Sequence, residues 1–155
     1  MTRRYARSPR GKRIRFYRPG NRGPNISFVG AIREDDVVGV AAYQGSINVQ
    51  RFLDFVIRVL LPAITAGDVV VMDNLRVHKH PAIRALIESR GARLLFLPPY
   101  TPELNPIEEF WSKFKYLLRS IAARTVPALV AAALHALTQF SASDFLGWYR
   151  HAGYG

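Results

Sequence analysis

The sequence predicts an α/β fold, a mixed sheet flanked by helices, and three observations carry that expectation. Two runs rich in β-branched and aromatic residues, Ile26–Arg33 and Val37–Tyr43, flank Glu34-Asp35-Asp36 and read as a hairpin. An uninterrupted apolar run, Val69–Met72, reads as a short strand buried on both faces. Apolar residues then recur at helical spacing in several stretches, most completely over Ile107–Ile121.

Taken in order, the chain begins with dense turn signals, Ser8-Pro9-Arg10-Gly11, Pro19-Gly20 and Gly23-Pro24, around a short candidate strand Ile14–Arg18. Gly39 inside the second hairpin strand marks a possible bulge. Asn48 is placed to cap a helix running to about Leu61, with Phe52, Phe55, Val56, Val59 and Leu60 on its buried face. Pro62 and Gly67 are expected to end it. The apolar strand follows and ends at Asp73. His80-Pro81 opens a second helix, with Ile83, Leu86 and Ile87 inward and Gly91 as its stop. Arg93–Leu97 is a further strand, and Pro98–Asn105 a proline-ruled loop. Asn105 is placed to cap the next helix, with Pro106 at its first position. Ile107, Phe110, Trp111, Phe114, Leu117, Leu118 and Ile121 form its apolar stripe, while Glu108, Ser112, Lys115 and Arg119 share an adjacent face. A last helix is expected from about Val126 to Phe140, entered through Pro127.

At 155 residues the chain is read as a single domain, a basic arm (1–25) on a sheet-and-helix body (26–155), large enough for one real core. No apolar run reaches the length of a membrane span, and the absence of cysteine excludes disulfides and thiolate metal sites. A cytoplasmic protein with no membrane partner is expected. The formal net charge is +11, and nine of the 22 basic residues fall within the first 24 positions, where there is no acid. Arg3, Arg4, Arg7, Arg10, Lys12 and Arg13 lead this arm, and its chemistry calls for a polyanion such as nucleic acid. A solvated or membrane-attracted tail is the plainer alternative. Tyr5, Phe16 and Tyr17, interleaved among the cations, suit either base stacking or inward packing.

Two blocks carry the chemistry. One is Asp68-Val-Val-Val-Met-Asp73-Asn74, an acid where a strand leaves the sheet, the edge at which open α/β sheets place ligands. The other is Leu97-Pro-Pro-Tyr-Thr-Pro-Glu-Leu-Asn-Pro-Ile-Glu108, with 34 residues separating Asp73 from Glu108. Both blocks and their interval resemble mariner-like and related bacterial insertion-sequence transposases of the Asp-Asp-Glu kind. The resemblance implies a ribonuclease H-like fold, and the element order matches that sheet from its second strand onward. It also implies divalent magnesium or manganese, with Asp73 bridging two ions and Glu108 binding one. The implied reaction is DNA strand cleavage by water, followed by attack of the freed 3′-hydroxyl on target DNA. DNA-contacting cations would be those of the arm together with Lys115 and Arg119. The implied partners are transposon-end and target DNA, and a homodimer or full-length transposase.

Each residue also has a plainer reading. Asp73 could cap a turn or pair with Arg76, and Glu108 could close a capping box on Asn105. Glu109 competes with Glu108 for the ligand role. His78 and His80 lack a third nitrogen or sulfur partner and are read as loop or DNA-contact residues, and His135 as packed or surface. Tyr100, Trp111 and Trp148 are read as packing aromatics. The family's first acid lies on a strand before the segment that Met1 opens, so the sheet is expected to lack its first strand. Asp35 and Asp36, on a turn expected to point away from the site, and Asp54, within a covering helix, are poor substitutes. With two of three acids the chain is expected to be inactive alone. The alternative function is a DNA-binding or regulatory remnant.

Overall fold

The structure, a computed structural model, describes residues 25–154. The basic arm, its candidate strand and its aromatics lie outside the described residues. Strands β1 (Ile26–Ile32) and β2 (Val37–Gln44) pair antiparallel as the predicted hairpin. Their register shifts between Ala31, opposite Gly39, and Ile32, opposite Val37, so that Val38 is the bulged residue. The bulge re-phases β2 and lets Val37 and Val40 face the same layer. Gly39 has a second reason to be glycine, because a Cβ there would lie 2.6 Å from Val59 on the covering helix.

That helix begins at Asn48, whose side chain accepts from the Arg51 N–H at 3.0 Å. It runs as α1 (Val49–Phe55), widens to a π-helical stretch over Val56–Leu60 and closes in a last turn, α2 (Leu61–Ala63). Pro62 therefore lies inside the helix and does not end it, contrary to expectation. Proline lacks an N–H and clashes with the carbonyl one turn back, and a wider turn is a known way to absorb both. The Leu61 N–H reaches the Val56 carbonyl, which is the π-type bond expected of such a turn.

Strand β3 (Val69–Met72) pairs in parallel with β4 (Arg93–Phe96). Helix α3 (Pro81–Glu88) crosses between them, capped by His80 and buried through Ile83 and Ile87. Gly91, at φ 73°, turns the chain back into β4. Helix α4 (Ile107–Ile121) carries the predicted stripe, with Phe110, Phe114 and Leu118 buried.

The C-terminal expectation needs correction. The expected helix forms as α5 (Val126–Leu137), but it is not the last, since α6 (Ala142–His151) follows it. Ser141 and Asp144 make a capping box that starts α6, and Gly147, a poor helix former, conceals that helix in the sequence. No single described helix is long and apolar enough to cross a membrane. α5 and α6 together reach that length, but they bend by 81° at the break and pack on the core.

Side chains of the hairpin alternate between two cores. Val29, Ala31, Ala41 and Tyr43 meet Phe52, Phe55 and Val56 of the α1 layer. Phe28, Ile32, Val37 and Val40 meet Phe110, Phe114 and Phe145 of the α4–α6 layer. The result is a helix–sheet–helix sandwich, the period-two strand pattern dividing residues between its faces. Among the described residues the strands hydrogen-bond as two pairs, β1–β2 and β3–β4. A cleft separates β1 from β3, and Val69 is 49% exposed there, so β3 is not buried on both faces as its apolar run suggested.

Candidate active site

The cleft between β1 and β3 has a volume of about 1180 Å³ and is walled by both strands, by Phe52 and Phe55 of α1 and by Trp111 of α4. One end is closed where Arg33, just past β1, bridges to Asp68 at 2.8 Å and also donates to the Ala63 carbonyl. The Thr65 N–H first, and Arg33 with it, hold the Asp68 carboxyl below the usual carboxylate range. Because Arg33 follows β1 and Asp68 precedes β3, the two strands run in opposite directions across the cleft. The other end of β3 is where Asp73 emerges, away from Glu34-Asp35-Asp36. Glu34 and Asp35 of the hairpin turn line the cleft as well, beside Arg33 at the end away from Asp73. Asp54 is engaged elsewhere, accepting from Tyr43 at 2.8 Å and pairing with Arg58 at 2.5 Å. Burial, reinforced by that bond to Asp54, pushes the Tyr43 hydroxyl up to about 12.

Asp73 and Glu108 both line the cleft. Short links between distant segments set both positions. The β3–β4 ladder continues through the Leu97 N–H, which donates to the Met72 carbonyl at 2.9 Å. Asn74 then donates its side-chain amide to the Leu97 carbonyl, fixing the Asp73-Asn74 corner against the start of the proline loop. The loop turns through Pro102–Leu104, and the Glu108 N–H donates to the Asn105 carbonyl at 3.0 Å as α4 begins. α4 starts one residue later than expected, with Pro106 and not Asn105 at its cap position, and no side chain caps it, so the capping box that was the plainer reading of Glu108 does not form. Glu108 is exposed and not consumed by its own helix end. Glu109 lines a separate hollow with Pro102 and Trp148, and not the cleft.

The turn after Asp73 holds the main departure from the sequence reading. Asp73 Oδ1 accepts from the Leu75 N–H at 3.0 Å, the turn-capping role foreseen for it, but the side chain beside it is His78, not Arg76. His78 Nδ1 lies 2.7 Å from Asp73 Oδ1, with the imidazole only 17% exposed. Its ring rests on buried Phe52, centroids 4.3 Å apart. His78 is therefore a turn residue on the cleft wall whose ring is packed between Phe52 and Asp73. The five-residue step from Asp73 carried no signal, since only the folded turn brings the two together. His80 is a helix cap, its Nδ1 accepting from Ala82 at 3.3 Å, and His135 is an exposed residue of α5.

Tyr100 departs in the opposite sense. Read as a packing residue, it is fully exposed and holds a left-handed φ of 61°. Trp111 packs as expected, its ring 3.1 Å from where a Gly30 Cβ would sit. Trp148 packs against Phe140 and Phe145. Lys115 and Arg119 lie exposed on α4, on the face that carries Glu108. The arm cations Arg3, Arg4, Arg7, Arg10, Lys12 and Arg13 fall outside the described residues.

Among the described residues no three acids or histidines cluster tightly enough to enclose a metal ion. Two carboxylates on one cleft suit magnesium or manganese in a different way, since magnesium is commonly bound by one or two carboxylates together with waters and substrate phosphates. Asp73 Oδ2 has no protein partner among the described residues, and Glu108 makes no side-chain hydrogen bond or ion pair there. The donor set fits a hard cation shared with a phosphate, and it does not fit a closed protein cage.

Solved structures share this architecture. The chain matches a Mos1 paired-end complex with left transposon end at a TM-score of 0.77 and 13% identity, covering 97% of this chain and 47% of that one. It matches the Mos1 strand transfer complex at 0.75 and 14%, covering 97% and 46%. A Mos1 mariner paired-end complex with Mn gives 0.75 and 14%, covering 97% and 47%. These likenesses establish the ribonuclease H-like α/β fold, and the chain spans less than half the length of each of those proteins. Comparison with curated proteins finds no match. A family model described as DDE superfamily endonuclease matches residues 1–130, and the chain belongs to that family.

Proposed function

We propose that this chain forms part of a transposase catalytic domain, in which Asp73 and Glu108 hold a divalent magnesium or manganese ion against a DNA phosphate. The observation that carries the proposal is that β3 and α4 deliver these two acids, and not Glu109, to the wall of one cleft. When bound, such an ion stabilises the attacking and leaving oxygens of an in-line phosphoryl displacement. Asp73 would bind through an oxygen at the strand end, held by the Leu75 N–H, and Glu108 from the first turn of α4. Lys115 and Arg119 would track the DNA backbone along the same helix, joined by the arm cations. The overall outcome would be strand cleavage and strand transfer, with transposon-end and target DNA as substrates. A homodimer or a longer transposase would be the working assembly.

A second reading is favoured by one observation: among the described residues no three acids or histidines cluster tightly enough to hold a metal ion. On that reading the chain binds DNA, or a longer transposase, without cutting. One experiment separates the two. A labelled transposon-end duplex is incubated with the chain and manganese, and cleavage and binding are both measured. Cleavage lost in Asp73→Asn and in Glu108→Gln, with binding kept, supports the enzyme. Salt-sensitive binding that ignores both substitutions, with no cleavage by the parent chain, supports the binding module.

A further inference from the structure

Asp73 Oδ1 is met from its own turn by two groups, the Leu75 N–H and the His78 imidazole. Two successive turns fold the segment back on itself. The His78 N–H donates to the Leu75 carbonyl at 3.0 Å, and the Lys79 N–H to that of Arg76 at 3.3 Å. The imidazole is thereby wedged between buried Phe52 and the Asp73 carboxylate. Its Nδ1 is shielded from solvent and lies 2.7 Å from Oδ1, off the axis of a well-formed hydrogen bond, with no other partner among the described residues. A buried N–H left without an acceptor is penalised by its lost hydration, so the imidazole favours every arrangement that keeps the carboxylate beside it. The Leu75 N–H acts on the same oxygen. With the Leu75 N–H bonded to Oδ1 and the His78 ring set against the same oxygen, Oδ2 is the oxygen left for a ligand.

We infer that His78 is a positioning residue for Asp73, which fixes Oδ1 through its Nδ1–H and so presents Oδ2 to the metal. The inference rests on the proposed role of Asp73 as a metal ligand. It assigns His78 no bond to the metal itself. It also predicts that Asp73 binds through one oxygen while the contact holds, in contrast to a carboxylate that uses both. Hydrogen-bond partners of metal ligands commonly govern affinity without touching the ion.

Manganese binding to the full chain, followed by the electron paramagnetic resonance signal of the free ion, tests this without reference to DNA cleavage. The series is the parent, Asp73→Asn, His78→Phe and His78→Asn. Phenylalanine preserves the stack on Phe52 but has no donor. Asparagine gives up the stack but places an amide N–H near the position of Nδ1. The expected result is binding by the parent, its loss in Asp73→Asn, weakening of about 10- to 100-fold in His78→Phe, and recovery of most of that loss in His78→Asn. Parent-like affinity in His78→Phe would overturn the inference, as would an asparagine variant no better than phenylalanine. A parent that binds no manganese, or binds it regardless of Asp73→Asn, would overturn the metal-ligand role of Asp73 and the inference with it.

Discussion

Two non-glycine residues hold left-handed backbone conformations, Tyr100 at φ 61° and Ala122 at φ 52°. Ala122 ends α4 in the position where helices most often place glycine, because a Cβ crowds the neighbouring carbonyl there. The crowding costs about 1–2 kcal/mol for an L-residue. Ala122 is exposed, so its methyl group contributes little packing in return. Ala122→Gly is therefore expected to raise stability by about 1 kcal/mol, since glycine's greater freedom in the unfolded chain offsets part of the relief. Thermal unfolding should show a rise of roughly 2–4 °C for a chain of this size. A lower midpoint would mean that the methyl makes contacts the helix end depends on. At this scale the sequence was informative about identity and silent about adjacency. Asp73 and Glu108 stood out through their flanking blocks, whereas the partner of Asp73 did not. Arg76 was the partner offered by the plainer reading of Asp73, but a turn geometry invisible in the residue order selects His78.

At the scale of elements, what was legible followed from periodicity and from capping chemistry at the chain's breaks. The hairpin, the Asn48 cap, the His80-Pro81 start and the α4 stripe all form where patterning placed them. Pro62 misled because a widened turn lets the helix continue through a proline, and nothing local to the sequence announces a π-helical turn. The α6 helix was hidden by Gly147, although the spacing Ser141 to Asp144 is a helix-start signature. Asp144 does more than cap. It accepts from Lys113 of α4 at 2.6 Å and from the Ser141 N–H at 2.9 Å, tying α6 to the helix that carries Glu108. Lys113 first, and Ser141 with it, hold the Asp144 carboxyl below its ordinary range. A carboxyl depressed in the folded state stabilises the fold above its unfolded pKa, and that contribution disappears as pH falls through the folded value. Asp144→Ala is expected to cost about 1–2 kcal/mol at neutral pH, from one helix cap and one partly exposed ion pair. Denaturant titrations of the two proteins should converge once pH drops well below about 4, the ordinary range of an aspartate. A difference that persists undiminished in acid would show that Asp144 acts through packing and not through its charge.

For the molecule as a whole, charge and architecture act along one line. The net charge of +11 is concentrated in the first 24 residues, and the remainder of the chain is nearly balanced, with 13 basic and 11 acidic residues. Within that balanced body, α4 sets two cations on the exposed face that begins with Glu108. At the rise of an α-helix, Lys115 lies about 10 Å and Arg119 about 16 Å beyond Glu108 along the axis. A nucleic-acid backbone held at Glu108 and laid along the helix would meet both. Each phosphate neutralised by a cation releases counterions, so the logarithm of the binding constant falls linearly with that of salt, by about 0.9 per contact on duplex DNA. Replacing Lys115 and Arg119 together by alanine is expected to weaken binding to any duplex and to flatten that slope by about 2. The arm cations, acting separately, should still supply the remaining slope. Dissociation constants for the parent and the double variant between about 50 and 200 mM salt would measure the difference. An unchanged slope would place DNA off α4, and the cleft acids could then no longer be fed along that helix. A slope reduced equally on unrelated duplexes would mark Lys115 and Arg119 as backbone contacts, leaving sequence preference to other parts of the protein.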